Sequence, residues 1–367
     1  MDLPAKKGRA AIRGRGAAEN PPNRFERIEY VPEEEEGEEG LPGPATECFR
    51  DTSRKILSYN QSPDVGFEVS VNPYRGCEHG CVYCYARPFH EYLGFSAGLD
   101  FETKILVKPE APELLRRELL SPNWRPQPIA LSGVTDPYQP LERGFKITRR
   151  CLQVLTEFRN PVVVVTKNHL VTRDIDLLAE LARWKAAVVN LSITTLDRRL
   201  QHLMEPRAST PKRRLGAIRD LVRARIPVRV LVAPVIPGLT DHEIPSIIKA
   251  AAQAGAGRAS YILLRLPHGV KGLVENWLER HYPGRKSRVL SRLRETRGGK
   301  LLYDSRFHVR MRGEGVLAAQ IEALFEAACR KSGMKRSGCS LSTAAFGRPH
   351  PSGQLGLFGE SLKKMTR

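Results

Sequence analysis

Short β-branched runs alternate along this chain with longer stretches whose apolar positions recur every three to four residues, the pattern of repeated strand–helix units. The strand candidates are Glu68–Val71, Ile129–Gly133, Val162–Thr166, Ala187–Thr194, Val228–Val235 and Ser260–Leu264. Most read as continuous apolar runs rather than alternating ones, as expected of parallel strands covered by helices. Helical patterns fall between them at Pro112–Leu120, Phe145–Phe158, Ile175–Trp184, Pro211–Arg225 and Asp241–Ala254. Thr240 and Glu243 stand in capping-box spacing before the last of these, which ends at Gly255. Thr210-Pro211 opens another with a cap residue followed by Pro at the first helical position. Six such units are too few to close an eight-stranded barrel. The expected fold class is α/β: a partial (βα)6 TIM-like barrel whose lateral mouth would accommodate a bulky substrate.

Composition divides the chain into four parts. Residues 1–45 are rich in Gly, Pro, Arg and Glu, include the acidic run Glu33-Glu34-Glu35-Glu36-Gly37-Glu38-Glu39, lack apolar periodicity and read as a disordered N-terminal tail. Residues 46–266 hold the strand–helix units. Residues 267–331 form a basic helical C-terminal extension, with patterns at Leu273–Arg280, Lys286–Thr296 and Val316–Arg330, and residues 332–367 read as a flexible Gly/Ser/Lys-rich tail.

Charge adds a candidate partner. The 367 residues carry 59 Lys and Arg against 40 Asp and Glu, a formal net charge of +19, which sets up a field attractive to polyanions. Basic residues crowd Arg285 to Arg312, either as a nucleic-acid surface or as a solvated helix face. The longest apolar runs, Pro161–Val165 and Ile226–Ile236, are too short and too broken for a membrane span. The opening Met1-Asp2-Leu3-Pro4-Ala5-Lys6-Lys7 has no apolar signal region, and the cytoplasm is the expected compartment.

The chemistry concentrates at Cys77-Glu78-His79-Gly80-Cys81-Val82-Tyr83-Cys84-Tyr85. Three thiolates on one loop leave a position open, because structural zinc takes four protein ligands and cubane iron–sulfur clusters are normally held by four cysteines. His79, inside the loop, would be the fourth ligand of a Cys3His zinc knuckle. Seven cysteines, an odd number, argue against a disulfide framework. Cys151 and Cys329 sit in apolar helical patterns and read as packed thiols.

This spacing, with an aromatic residue just before the last cysteine, resembles the signature of the radical S-adenosylmethionine (radical SAM) superfamily. The resemblance implies a [4Fe–4S] cluster on Cys77, Cys81 and Cys84, whose open iron takes the amino and carboxylate groups of S-adenosylmethionine. It further implies reductive cleavage to a 5′-deoxyadenosyl radical, with electrons from a partner such as flavodoxin or ferredoxin. With the cysteines after the first strand, the cluster falls at the C-terminal rim of the sheet, where loops build active sites.

Candidate cofactor contacts lie at the same rim. Superfamily members commonly carry a Gly-Gly-Glu motif after the second strand. This chain has Leu131-Ser132-Gly133-Val134-Thr135-Asp136 instead, which leaves Thr135 and Asp136 as polar substitutes. Asp136 either receives the methionyl ammonium or initiates a turn before Pro137. Lys167, after the third strand, either pairs with the cofactor carboxylate or is exposed. Ser192 and Thr194 alternate on the fourth strand and share a face. They either bond ribose hydroxyls or satisfy each other. Pro234 and Val235 offer an apolar surface for adenine or a plain turn.

Within the superfamily the chain is most similar to the spore photoproduct lyase branch, often labelled DNA-repair-photolyase-like. The similarity rests on Cys81-Val82-Tyr83-Cys84-Tyr85, Thr135-Asp136, Lys167 and Ser192. It implies that Tyr83, beside the cofactor, and Tyr85 take part in hydrogen-atom relay. The thiol that the branch uses after its second strand is replaced by Gly133. The radical launched here is therefore expected to end differently. The stretch from Asn72 to Cys77 and the segment Arg310-Met311-Arg312-Gly313 are similar to an uncharacterised bacterial subgroup. Two other readings stand beside nucleic-acid repair or modification: a non-catalytic iron–sulfur or zinc protein that binds nucleic acid, and radical SAM chemistry on a protein or small molecule.

Overall fold

The computed structural model describes residues 12–25, 44–336 and 340–349; the acidic run Glu33–Glu39, Cys339 and most of the C-terminal tail lie outside them. Ten strands form in chain order: β1 (Glu47–Arg50), β2 (Leu57–Tyr59), β3 (Val69–Val71), β4 (Tyr74–Arg75), β5 (Lys104–Val107), β6 (Ile129–Leu131), β7 (Val162–Thr166), β8 (Ala187–Ser192), β9 (Val228–Val235) and β10 (Arg258–Leu263). Seven make one sheet in the order β10-β9-β8-β7-β6-β3-β2. Every pairing from β3 to β10 is parallel, and β2 closes the edge antiparallel to β3. This is the open, partial barrel, each parallel strand matching one of the six apolar runs. β1, β5 and β4 form a separate small sheet.

Strand alternation gives the barrel two unlike faces. Val69, Ile129, Val162, Val189, Val230 and Tyr261 point outward into the main core, where the helices cover them. Their neighbours Ser70, Asn190, Ser192, Arg229 and Ser260 take the opposite face of the pleat, inside the barrel. Cys151 and Cys329 are fully buried in the main core, as packed thiols should be. No helix among the described residues is long and apolar enough to cross a membrane.

Three local expectations need correction. The capping box at Thr240 and Glu243 does not form: Thr240 Oγ1 accepts from the Ile236 amide, and Glu243 reaches across to the Thr195 hydroxyl and the Leu196 amide. Thr210 precedes Pro211 as expected, yet its side chain makes no capping bond. Composition also placed residues 12–25 in a disordered tail, whereas they lie against the core. The Gly16 and Ala17 amides donate to the Glu102 carboxylate at 2.9 and 2.8 Å.

Candidate active site

The cysteine loop leaves the C-terminal end of β3 and is held from several sides. Cys77 donates its amide to the Phe101 carbonyl at 2.9 Å, and Val82 donates to the Met204 carbonyl at 3.0 Å. Arg87, fully buried, bonds the carbonyls of Cys81, Ala97 and Gly98 and pairs with buried Glu102. Glu102 in turn receives the two amides of the 12–25 segment, so one ion pair joins segment, loop and scaffold. Gly80 adopts φ +65°, and a Cβ there would lie 2.6 Å from Glu102 Oε2. The glycine between the first two cysteines is a steric requirement.

The donor set decides what this loop can hold. Both His79 ring nitrogens are engaged, Nδ1 3.3 Å from Asp136 Oδ2 and Nε2 3.1 Å from the Asn168 side-chain amide. His79 is therefore a brace between loop and barrel rim, not a fourth ligand. Burial pushes the Cys77 and Cys81 thiols up, with Asp136 adding to the effect at Cys77 and Glu205 at Cys81. Thiolates in such surroundings need the positive charge of a bound metal group. Three cysteines without a fourth protein ligand fit a cluster that keeps one iron open to a cofactor.

The residues expected at the rim fall into two groups. Thr135 and Asp136 brace the loop. Thr135 Oγ1 donates to the Gly76 carbonyl at 2.7 Å. Asp136 accepts from the Thr166 hydroxyl, the Lys167 amide and the Tyr138 amide. Burial raises the Asp136 carboxyl, but His79 and these donors outweigh it and hold the group below the usual carboxylate range. Tyr83 and Thr194 belong to a buried network absent from any motif. Tyr83 donates its hydroxyl to Glu205 and lies 3.1 Å from Thr194 Oγ1, while Glu205 pairs with Arg214. Thr194 also donates to the Ala233 carbonyl at 2.9 Å. Its hydroxyl is thus committed to protein, and Ser192 is buried beside it, its carbonyl accepting from Arg214.

Lys167 and Tyr85 are placed differently. The Lys167 ammonium lies 5.8 Å from the Tyr83 ring centroid, and its charge acts on both Cys81 and Glu205. Tyr85 is 42% exposed, donates its hydroxyl to the Gly133 carbonyl at 2.6 Å, and carries the Arg265 guanidinium over its ring at 4.8 Å. Gly133 has φ +145° and follows Ser132 at φ +144°, a backbone conformation rare for a residue with a side chain. The expected adenine surface is narrower than Pro234 and Val235 together, because Val235 is 1% exposed and packs into the main core. Pro234 alone remains half-buried.

Comparison with known proteins agrees with this geometry. The model of the Radical SAM superfamily matches residues 71–251. An uncharacterised protein of Mycobacterium tuberculosis is 37% identical over 231 residues, covering 62% of this chain and 67% of its own length. A protein of Pseudomonas phage M6 named radical SAM Nalpha-GlyT isomerase is 26% identical over 177 residues, 48% of this chain and 35% of its own. Among solved structures, a spore photoproduct lyase double mutant with bound AdoMet and dinucleoside spore photoproduct aligns with TM-score 0.52 at 16% identity, covering 78% of this chain and 80% of that one. At that identity the likeness is one of fold. The superfamily's cofactors are a [4Fe–4S] cluster and S-adenosylmethionine, which the three-thiol loop at the rim of an open parallel barrel suits. The chain belongs to the radical SAM superfamily and is an enzyme of that class.

Proposed function

We propose that this enzyme abstracts a hydrogen atom from a nucleoside within a nucleic acid. The observation that carries this reading is Tyr85. Its exposed ring stands one residue beyond the last cluster cysteine, with the Arg265 guanidinium stacked on it, so an aromatic face and a cation meet at the cluster. Such a pair suits a base and its phosphate. The formal charge of +19 favours a polyanionic substrate, and a protein of the same fold, spore photoproduct lyase, has been solved with a dinucleoside ligand.

When bound, the cluster and S-adenosylmethionine supply a 5′-deoxyadenosyl radical by one-electron reduction, with flavodoxin or ferredoxin as the electron donor. The side chains divide the remaining work. Cys77, Cys81 and Cys84 would hold the cluster, Lys167 would pair with the cofactor carboxylate, and Pro234 would offer its adenine an apolar surface. Ser192, Thr194, Thr135 and Asp136 fix the walls around it. Tyr83, pinned by Glu205, holds the loop in place, and Tyr85 is the residue positioned to exchange a hydrogen atom with substrate. No thiol occupies position 133, so the route by which a cysteine quenches the product radical is closed, and the reaction is a modification or isomerisation rather than thiol-dependent photoproduct reversal. The cytoplasm, where such reductants and thiolates persist, is the proposed compartment.

Deuterium transfer tests the reading. Oligonucleotides of DNA and RNA deuterated in their sugars and base methyl groups, incubated with the reduced holoenzyme, should pass label into 5′-deoxyadenosine. Vigorous cofactor cleavage with no label from any nucleic acid would assign the substrate to a protein or a small molecule.

A further inference from the structure

A groove that none of the three cysteines lines has no role in the chemistry above. Its first lobe, about 730 Å³, lies between the helix Arg198–Met204 and the end of the helix Val270–His281. A second lobe of about 450 Å³ continues beside the helix Pro283–Glu295, and His242 and Arg285 line both. Five arginines stand on its walls: Arg199 and Arg280 in the first lobe, Arg288 and Arg292 in the second, and Arg285 between them.

The carboxylates of the lining are already engaged by the protein. Asp197 accepts the Arg199 and Leu200 amides at the start of its helix. Asp241 accepts the Gly238 amide and pairs with Arg292 at 3.4 Å. Glu243 accepts from the Thr195 hydroxyl and the Leu196 amide. Among the described residues, Arg199, Arg285 and Arg288 are exposed and have no carboxylate partner. Several other arginines of the basic C-terminal stretch are engaged by the protein. Arg297 is buried on backbone carbonyls, Arg306 pairs with Asp304 and Glu314, and Arg310 pairs with Asp64.

The arrangement is a track, not a cage. Its cations are spread over both lobes rather than gathered at one point, with Tyr282 as an aromatic surface in the first. A lone phosphate would need its donors to converge, whereas a strand presents successive charges and unstacked bases to separated cations and aromatic faces. The helix Arg198–Met204 also ties the groove to the chemistry. Leu200 packs with Cys81, Val82 and Tyr83, and the Met204 carbonyl receives the Val82 amide, while Arg199 of the same helix faces the groove. We infer that the groove formed by Arg199, Arg285 and Arg288 binds the phosphodiester backbone of a single-stranded nucleic acid, holding the strand whose target nucleoside reaches Tyr85. This rests on the nucleic-acid reading of the active site.

Fluorescence anisotropy of the whole holoenzyme with a labelled oligothymidylate tests it. The triple variant R199A/R285A/R288A should bind at least about tenfold more weakly, and the slope of log K against log salt should fall by about 2, since each phosphate contact on a single strand contributes about 0.7. A control removing exposed arginines elsewhere, R125A/R183A, should leave the slope within about 0.7 of the parent. Formation of 5′-deoxyadenosine without nucleic acid should be unchanged in the triple variant, so that the two readings fail separately. An unchanged affinity and slope in the triple variant, a control as weak as the triple variant, or a wild type that binds no oligonucleotide overturns the inference even where the deuterium experiment succeeds.

Discussion

The Tyr85 hydroxyl donates to the carbonyl of Gly133 at 2.6 Å, joining the residue after the cluster loop to the backbone just beyond the end of β6. The contact is made to main chain, so it survives the absence of any side chain at position 133. Tyr85→Phe should keep the cluster and the substrate-free cleavage of S-adenosylmethionine while losing most substrate turnover. Paired measurement of 5′-deoxyadenosine with and without substrate checks this. Equal coupled turnover in the variant would remove Tyr85 from the chemistry.

Gly133 itself is constrained by conformation rather than space. An added Cβ would meet Asn72 and Ser70 at 3.4 to 3.5 Å, ordinary contact, but φ +145° strains any L side chain. Gly133→Ala should therefore cost about 1–3 kcal/mol of stability, read from thermal or denaturant unfolding.

Glu205 and Arg214 form a buried pair at the base of the site, with relative exposures of 0% and 1%. Removing one charge leaves the other desolvated. Arg214→Met should destabilise by about 3–5 kcal/mol and release the Tyr83 hydroxyl, whereas a double exchange of both residues for apolar ones should recover much of that loss. Denaturant unfolding of the two variants makes the comparison.

His90 supplies the clearest dependence on pH. Burial lowers it from 6.5 to about 4, and it stacks on Phe95 with ring centroids 5.2 Å apart. The folded state holds it neutral while the unfolded chain binds a proton below about 6.5. Stability is thus fully present above that value and is lost as pH falls toward 4, by about 3 kcal/mol over the interval. Replacing His90 with Gln should flatten the acid limb between pH 6.5 and 4 in thermal unfolding.

The 12–25 segment is held to the cluster loop by backbone approach. A Cβ on Gly16 would lie 1.8 Å from the Gly80 carbonyl oxygen, so Gly16→Ala must displace the segment or the loop. A loss of about 1–3 kcal/mol is expected, together with poorer retention of iron after reconstitution. Iron analysis after gel filtration reads the second effect.

The parallel barrel was legible because its strands carry continuous apolar runs such as Val162-Val163-Val164-Val165, whose alternate residues are fully and partly buried. β1 could not be read in this way. It is four residues long, exposed throughout, and pairs with β5 more than fifty positions away. The cysteine spacing announced the cluster, since ligands on one loop leave a local signature. The braces did not, because Glu205–Arg214, His79–Asp136 and Arg87–Glu102 are pairs that only the fold assembles. The 12–25 segment escaped notice for a related reason: it docks through the amides of Gly16 and Ala17, which every non-proline residue possesses. Asp136 could be read either as a cofactor contact or as a turn initiator before Pro137, and the bonds that tie it to the Lys167 amide and to His79 depend on partners that only the fold brings together.

The most direct test of the central claim is anaerobic reconstitution with iron and sulfide, followed by dithionite and S-adenosylmethionine. The wild-type chain should form 5′-deoxyadenosine, and Cys81→Ala should form none while keeping its binding of nucleic acid. Absence of 5′-deoxyadenosine from the reconstituted wild type, or its undiminished formation by Cys81→Ala, would contradict the account.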